Sequence, residues 1–260
     1  MIQLNCKLVC VDIKKDDLKK LEEELAATLK PKQNYVHFYN FDISNLEEVK
    51  KNCKKIRNEV GDVDILVNNA GIMNKAKLFM ELKEEEILNI FNVNILSQFW
   101  LIREFLPKMI EKNSGHIVNV SSSLGKLNYW FFSILNKILF NKKNLGFFGA
   151  YKVTDYCSTK FAVVGLSESL RIELKSVNPN NNIIVTTVCP FHVKTNLFNG
   201  FEMQTFKWMK LSNPPEIVAE NIVNGILLNK HLIACPRHVF YILAAVKKWV
   251  RIFSVNLLFV

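Results

Sequence analysis

No apolar run in this 260-residue sequence reaches the roughly 20 residues that a membrane-spanning helix needs, so none is expected. Met1–Asn5 lacks the charged start and apolar stretch of a secretory leader and runs directly into a strand, so no leader is expected either. The six cysteines form no CxxC pair and no secreted-domain spacing, which reads as reduced structural thiols in a cytosol-facing protein. The five histidines form no metal-ligand cluster, and neither an internal repeat nor an interdomain linker is visible. Acidic residues are outnumbered, giving a formal charge of +10. The lysines are nevertheless scattered among Glu-rich stretches such as Leu18–Lys30, as on a solvated face, and no nucleic-acid reader motif accompanies them. Nucleic acid is therefore not an expected partner. What the chain does have is length for one well-buried domain and a 49% hydrophobic content that argues against disorder.

Apolar, β-branched runs alternate with segments of helical period. Strands are expected at Lys7–Val11, Tyr35–Phe41, Asp64–Asn68, His116–Ser121, Ile183–Cys189 and Leu232–Ala234. Helices are expected over residues 15–30, from a capping box at Ser44–Glu47 to about Val60, and over Glu84–Lys112, Tyr156–Ser176 and Pro215–Leu228. Strict alternation implies right-handed crossovers and an α/β fold, a doubly wound parallel sheet, with ligands beyond the carboxyl ends of the strands. Asn119-Val-Ser121 matches a glycosylation sequon but falls inside an expected buried strand, so it is discounted.

Several polar groups sit at those strand ends. Tyr156 and Lys160 lie one helical turn apart, where a cation beside a phenol favours the phenolate and suits it to moving a proton near neutral pH. In a lysine-rich chain such a spacing arises about once by composition alone, although among the six tyrosines only Tyr156 has Lys at i+4. The hydroxyl cluster Ser121–Ser123 closes a strand and can hold a reacting oxygen; an ordinary Ser-rich turn is the plain alternative. Asn68-Asn69-Ala70-Gly71 follows another strand and reads as a close backbone approach or a plain turn. Asn94 lies mid-helix, where its propensity is mediocre and a buried amide needs partners.

Taken in order, Asn68–Gly71, Asn94, Ser121–Ser123, Tyr156/Lys160 and Cys189–Thr195 resemble the motifs of the short-chain dehydrogenase/reductase family. The stretch Asp155–Leu170 is most similar to its retinol-dehydrogenase and 17β-hydroxysteroid-dehydrogenase branch. The resemblance implies a Rossmann-like domain over residues 1–234 and hydride exchange between a nicotinamide and a lipophilic alcohol or ketone. It implies Tyr156 as acid/base, Lys160 as the group lowering its pKa and holding the nicotinamide ribose, Ser122 as the substrate-oxygen ligand, and Asn94 in a water relay. Asp12 would accept the adenine ribose hydroxyls and repel a 2′-phosphate, so NAD is expected over NADP. Asp42 and Ile43 would flank the adenine, Asn69, Ala70 and Gly71 would approach the cofactor, and Pro190, Val193 and Thr195 would contact its nicotinamide end. A homodimer through the helices of Asn94 and Tyr156 is implied, as is a cytosol-facing location at endoplasmic reticulum or lipid-droplet membranes.

Two departures stand against this. The glycine-rich turn that holds the pyrophosphate is absent, together with the strand before it; an upstream exon is expected to supply both and, in this branch, a membrane anchor. Ser122 and Tyr156 stand 34 positions apart, against about a dozen in the family. The surplus, Lys126–Gly146, contains no acid, Ala, Val, Thr or Pro. It reads as a retained short intron or as a basic, aromatic membrane-interface insertion. The Phe- and Met-rich Asn196–Ser212 is the expected substrate lid, and the apolar, basic tail 235–260 either docks on the domain or meets a membrane surface. The alternative function is a catalytically silent, membrane-associated binding protein on the same scaffold.

Overall fold

The computed structural model describes residues 6–28, 35–122, 152–195, 197 and 212–235. Its elements follow the alternation of the sequence: β1 (Leu8–Asp12), α1 (Lys15–Thr28), β2 (Val36–Asn40), α2 (Leu46–Glu59), β3 (Ile65–Asn68), α3 (Glu84–Phe91), a π-helical turn (Asn92–Leu96), α4 (Ser97–Lys112), β4 (Gly115–Val120), α5 (Thr154–Val177), β5 (Ile183–Pro190), β6 (His192–Val193), β7 (Ser212–Asn213), α6 (Pro215–Leu227) and β8 (Leu232–Cys235). The short parallel pair of β6 with β7 was not legible in the sequence. The expected insert Lys126–Gly146, nearly all of the lid and the tail beyond Cys235 lie outside the described residues.

Strand neighbours run parallel throughout, in the order β3–β4–β5–β8, with β1–β2 as a separate parallel pair. Among the described residues no ladder joins β1 to β3, the place where the sequence reading expects an absent strand. One helical layer nevertheless covers both pieces. Val49, Cys53 and Ile56 of α2, Ile102, Phe105 and Met109 of α4 and Leu174 of α5 pack on Tyr39, Leu66, Ile117 and Val185, with Val9 and Val11 at the margin. Alternate residues face the other way: Val118, Val188 and Ile233 meet Val218 and Ile226 of α6. A sheet covered on two faces is the doubly wound arrangement, and it brings the ends of β3, β4 and β5 to one edge.

Two local expectations are corrected. Helix α2 is capped by Asn45, whose side chain accepts from the N–H groups of Glu47 and Glu48, while Ser44 turns back to the Asp42 carboxylate. Asparagine ranks with serine as a cap, and the competing carboxylate of Asp42 decides between them. The region Glu84–Lys112 is helical throughout but widens into the π turn at Asn94, a distortion that often marks a functional position.

At the opposite edge, His116 is buried, with Nε2 2.7 Å from the Thr186 hydroxyl, which itself donates to the Lys230 carbonyl. Since Thr186 has spent its one proton, His116 Nε2–H must be the donor. Burial, reinforced by His231, pushes the imidazole down to about 4. The unfolded chain, titrating near 6.5, therefore takes the proton first; this stability is present above about pH 6.5 and is lost as pH falls toward the folded value. Urea unfolding is expected to lose about 2 kcal/mol more in the wild type than in His116→Gln between about pH 7 and 5. Parallel curves for the two proteins would remove the role assigned to His116.

Candidate active site

The edge that gathers the strand ends also receives the first turns of α5. Tyr156 and Lys160 project from one face of that helix and are both 3% exposed. Strand β4 ends directly against them. The Ser121 hydroxyl donates to the Lys160 carbonyl at 2.7 Å, Lys160 Nζ donates to the Val120 carbonyl at 3.1 Å, and the Ser122 hydroxyl hydrogen-bonds the Tyr156 phenol. Lys160 Nζ stands 5.5 Å from the Tyr156 ring centroid. The 34-position separation in sequence thus closes to hydrogen-bond distance in space.

Gly71, after β3, forms the third side. A Cβ built there would fall 3.4 Å from both Lys160 Nζ and Asn94 Oδ1, so glycine lets the loop lie close against the ammonium and the amide. Asn94 is fully buried; its Oδ1 accepts from Ile72 N–H at 2.8 Å, and its Nδ2 donates to the Ile72 carbonyl at 2.9 Å and to Thr159 Oγ1 at 3.1 Å. The backbone carbonyl of Asn94 accepts from Gln98 Nε2 at 3.0 Å. Asn94 therefore clamps the loop after Gly71 to α5, and its amide is committed to that clamp.

Burial sets the electrostatics. It pushes the Tyr156 phenol well above its usual range, with the Ser122 hydrogen bond pulling the other way. It pulls Lys160 down to about 8, opposed by the neighbouring Cys189. The sequence reading looks for a lowered phenol beside an ammonium; here desolvation is the largest influence on both groups, and it raises the phenol.

The remaining expected residues divide. Asp12 is exposed at the end of β1, its carboxylate accepting from Lys14 N–H, and Asn40 at the end of β2 donates to the carbonyls of Asp12 and Ile13. Asn69 and Ala70 are exposed beside Gly71, and Pro190 closes β5. Asp42 spends a carboxylate oxygen on Ser44, and Ile43 packs against the core. Val193 leans on the Val118/Val188 cluster and Thr195 is exposed. Sequence reasoning missed Thr159, Gln98, Asn74 and Asp155. It also missed a buried chain in which Asn68 Nδ2 donates to Asn119 Oδ1 and Asn119 Nδ2 to Ser167 Oγ. An Asn within the apolar strand Gly115–Val120 was the available signal for that chain. Its full burial agrees with discounting the sequon.

A family model described as short chain dehydrogenase matches residues 1–134 and 137–205. The chain belongs to the short chain dehydrogenase family. Among its relatives, rat 17-beta-hydroxysteroid dehydrogenase 13 is 36% identical over 235 residues, covering 90% of this chain and 67% of the relative. Human estradiol 17-beta-dehydrogenase 11 is 33% identical, covering 92% and 70%. Zebrafish retinol dehydrogenase 10-B is 36% identical, covering 82% of this chain and 56% of its own length. The fold agrees: a Sphingobium yanoikuyae short-chain dehydrogenase in complex with NADPH superposes with a TM-score of 0.70 at 19% identity, covering 95% of this chain and 85% of that one. A Burkholderia cenocepacia gluconate 5-dehydrogenase in complex with NADP and tartrate gives 0.58 at 19% identity, covering 75% and 64%. The family is one of nicotinamide-dependent oxidoreductases, and its members act on small molecules. Gly71 lies close against Lys160 Nζ, and a side chain there would meet the ammonium that would hold the ribose of such a cofactor.

Proposed function

We propose that this chain oxidises or reduces a lipophilic alcohol/ketone pair with NAD, using Tyr156 as acid/base. The observation that carries the reading is the buried Ser122–Tyr156–Lys160 set packed against the Gly71 loop. A nicotinamide held there would supply acceptance of the hydride from the carbinol carbon and its return in the reverse direction. Ser122 holds the substrate oxygen, and Tyr156 takes the hydroxyl proton as the carbonyl forms. Lys160 favours the phenolate when protonated and holds the ribose, while Asn94 keeps the loop of Gly71 in place beside it.

Asp12 supports NAD over NADP, because a carboxylate at that strand end repels a 2′-phosphate; two solved neighbours carry NADP(H), so the preference is a property to be read on this chain. Retinol and hydroxysteroid dehydrogenases among the relatives support a lipophilic substrate. Such substrates reside in membranes, which with the apolar and basic Arg237–Val260 supports a cytosol-facing endoplasmic reticulum or lipid-droplet surface. Among the described residues no helix is long and apolar enough to cross a membrane. Leu96 and Phe99 on one helical region and Phe161 and Ile172 on α5 are exposed, which supports pairing of two copies there.

The test is a panel of retinol, steroid, fatty and polyol alcohols with either dinucleotide. The expected result is turnover of an apolar alcohol with kcat/KM at least about tenfold higher for NAD, equivalent to about 1.4 kcal/mol. Turnover confined to polyols would overturn the substrate class. A second reading, a silent binding protein on this scaffold, is an outcome of the same test. Lipid binding with neither turnover nor quenching of tryptophan fluorescence by NAD would select it.

A further inference from the structure

Among the described residues the fully charged side chains that are buried are Lys160 and Asp155. Asp155 directly precedes Tyr156, and the proton-transfer scheme above does not use it. Its Oδ1 accepts from the Tyr156 N–H at 2.8 Å, and its Oδ2 accepts from Asn74 Nδ2 at 2.7 Å. Asn74 also donates to the Glu86 carbonyl at 3.2 Å. A second stitch lies beside it: Lys77 N–H donates to the carbonyl of Lys152, a residue held at φ 64, and Lys77 Nζ pairs with the Glu86 carboxylate at 2.6 Å. The loop that begins at Gly71 is thereby fastened both to α3 and to the start of the helix that carries Tyr156.

A buried carboxylate is expensive unless hydrogen bonds and charge compensate it. Asp155 has no ion pair among the described residues. It has two N–H donors and the positive end of α5. Those two donors lie on the two bodies whose spacing matters: the helix bearing the phenol and the loop bearing Gly71. We propose that Asp155 is a positioning residue for Tyr156, acting with Asn74 to fix the phenol against the Gly71 loop. The proposal rests on the reading of Tyr156 as acid/base.

The full chain is compared with Asn74→Ala, Asp155→Ala, Asn74→Asp and the exchanged pair Asn74→Asp/Asp155→Asn. Two quantities are read: kcat and KM for the alcohol, and the ultraviolet difference titration of Tyr156 against the matching Tyr156→Phe protein. Each alanine variant is expected to lower kcat about tenfold with KM changed less than about twofold. Each is also expected to bring the phenol titration down toward its ordinary value near 10, as the first turn of α5 loosens and water reaches the ring. Asn74→Asp, with two facing carboxylates, should be the worst of the set. The exchanged pair, in which the amide introduced by Asp155→Asn would donate to the carboxylate introduced by Asn74→Asp, should restore both readouts toward wild type. Wild-type kcat and phenol titration in both alanine variants would overturn the proposal, as would an exchanged pair no better than Asn74→Asp. Should an alanine variant fail to fold, the exchanged pair against Asn74→Asp decides. A chain without any turnover would sink the acid/base reading, and the phenol titration, which needs no substrate, would still decide the positioning role.

Discussion

Tyr156→Phe is expected to lower kcat by a factor on the order of 100 to 10,000, the range that a positioned acid/base supplies. The ring stays, so its contacts with Ile90, Val153 and Cys157 stay with it. What leaves is the hydroxyl that hydrogen-bonds Ser122. Leaving one buried hydroxyl short of a partner costs about 1–3 kcal/mol, a modest fraction of a domain's stability. The variant should therefore fold, bind dinucleotide with an affinity within a few-fold of wild type, and fail in turnover. Steady-state kinetics beside a tryptophan-fluorescence titration measure both. Retained turnover would place the proton on another group.

Asn94→Ala is expected to damage fold and site together. The partly buried Ile72 N–H and carbonyl lose their partner at once, and the buried Thr159 hydroxyl, which still donates to the Tyr156 carbonyl, loses the donor it accepted from. At about 1–3 kcal/mol for each group left short of a partner, a loss of about 2 kcal/mol or more is expected, accompanied by a large fall in kcat as the Gly71 loop parts from α5. Urea unfolding and kcat on the same preparation test it. A variant within about 1 kcal/mol of wild type would mean that the clamp is not what holds the loop.

Much of this site was legible in the sequence because several individually ordinary motifs stand in one order at the ends of successive strands. The fold was readable from alternation of period 2 and period 3.6, while the Tyr156/Lys160 spacing, the Ser121–Ser123 cluster and Asn68–Gly71 each had a plain alternative, and it was their order, resembling a family's motifs, that singled out Ser122 and the roles. Asn94 was readable as a misfit in a helix, but its partners were not. That it grips Ile72 follows from the π turn, which a residue count cannot reveal. Asp155 was invisible for a related reason. An acid in the first turn of a helix is ordinary in sequence, and only burial turns it into an anomaly. The direction of the Tyr156 shift was missed because spacing shows the neighbouring cation and not the desolvation, which is the largest influence on the phenol. The cap of α2 moved by one residue because Asp42 captures Ser44, a contact between neighbours that propensity does not resolve.

The central claim is that this site moves hydride between an apolar alcohol and a nicotinamide. The most direct measurement uses an alcohol deuterated at its carbinol carbon, with mass analysis of the dinucleotide after incubation with the chain. The account predicts one deuterium delivered to the nicotinamide ring by the wild type and none by Tyr156→Phe. Deuterium that stays on the alcohol with the wild type, while the dinucleotide binds, would contradict it.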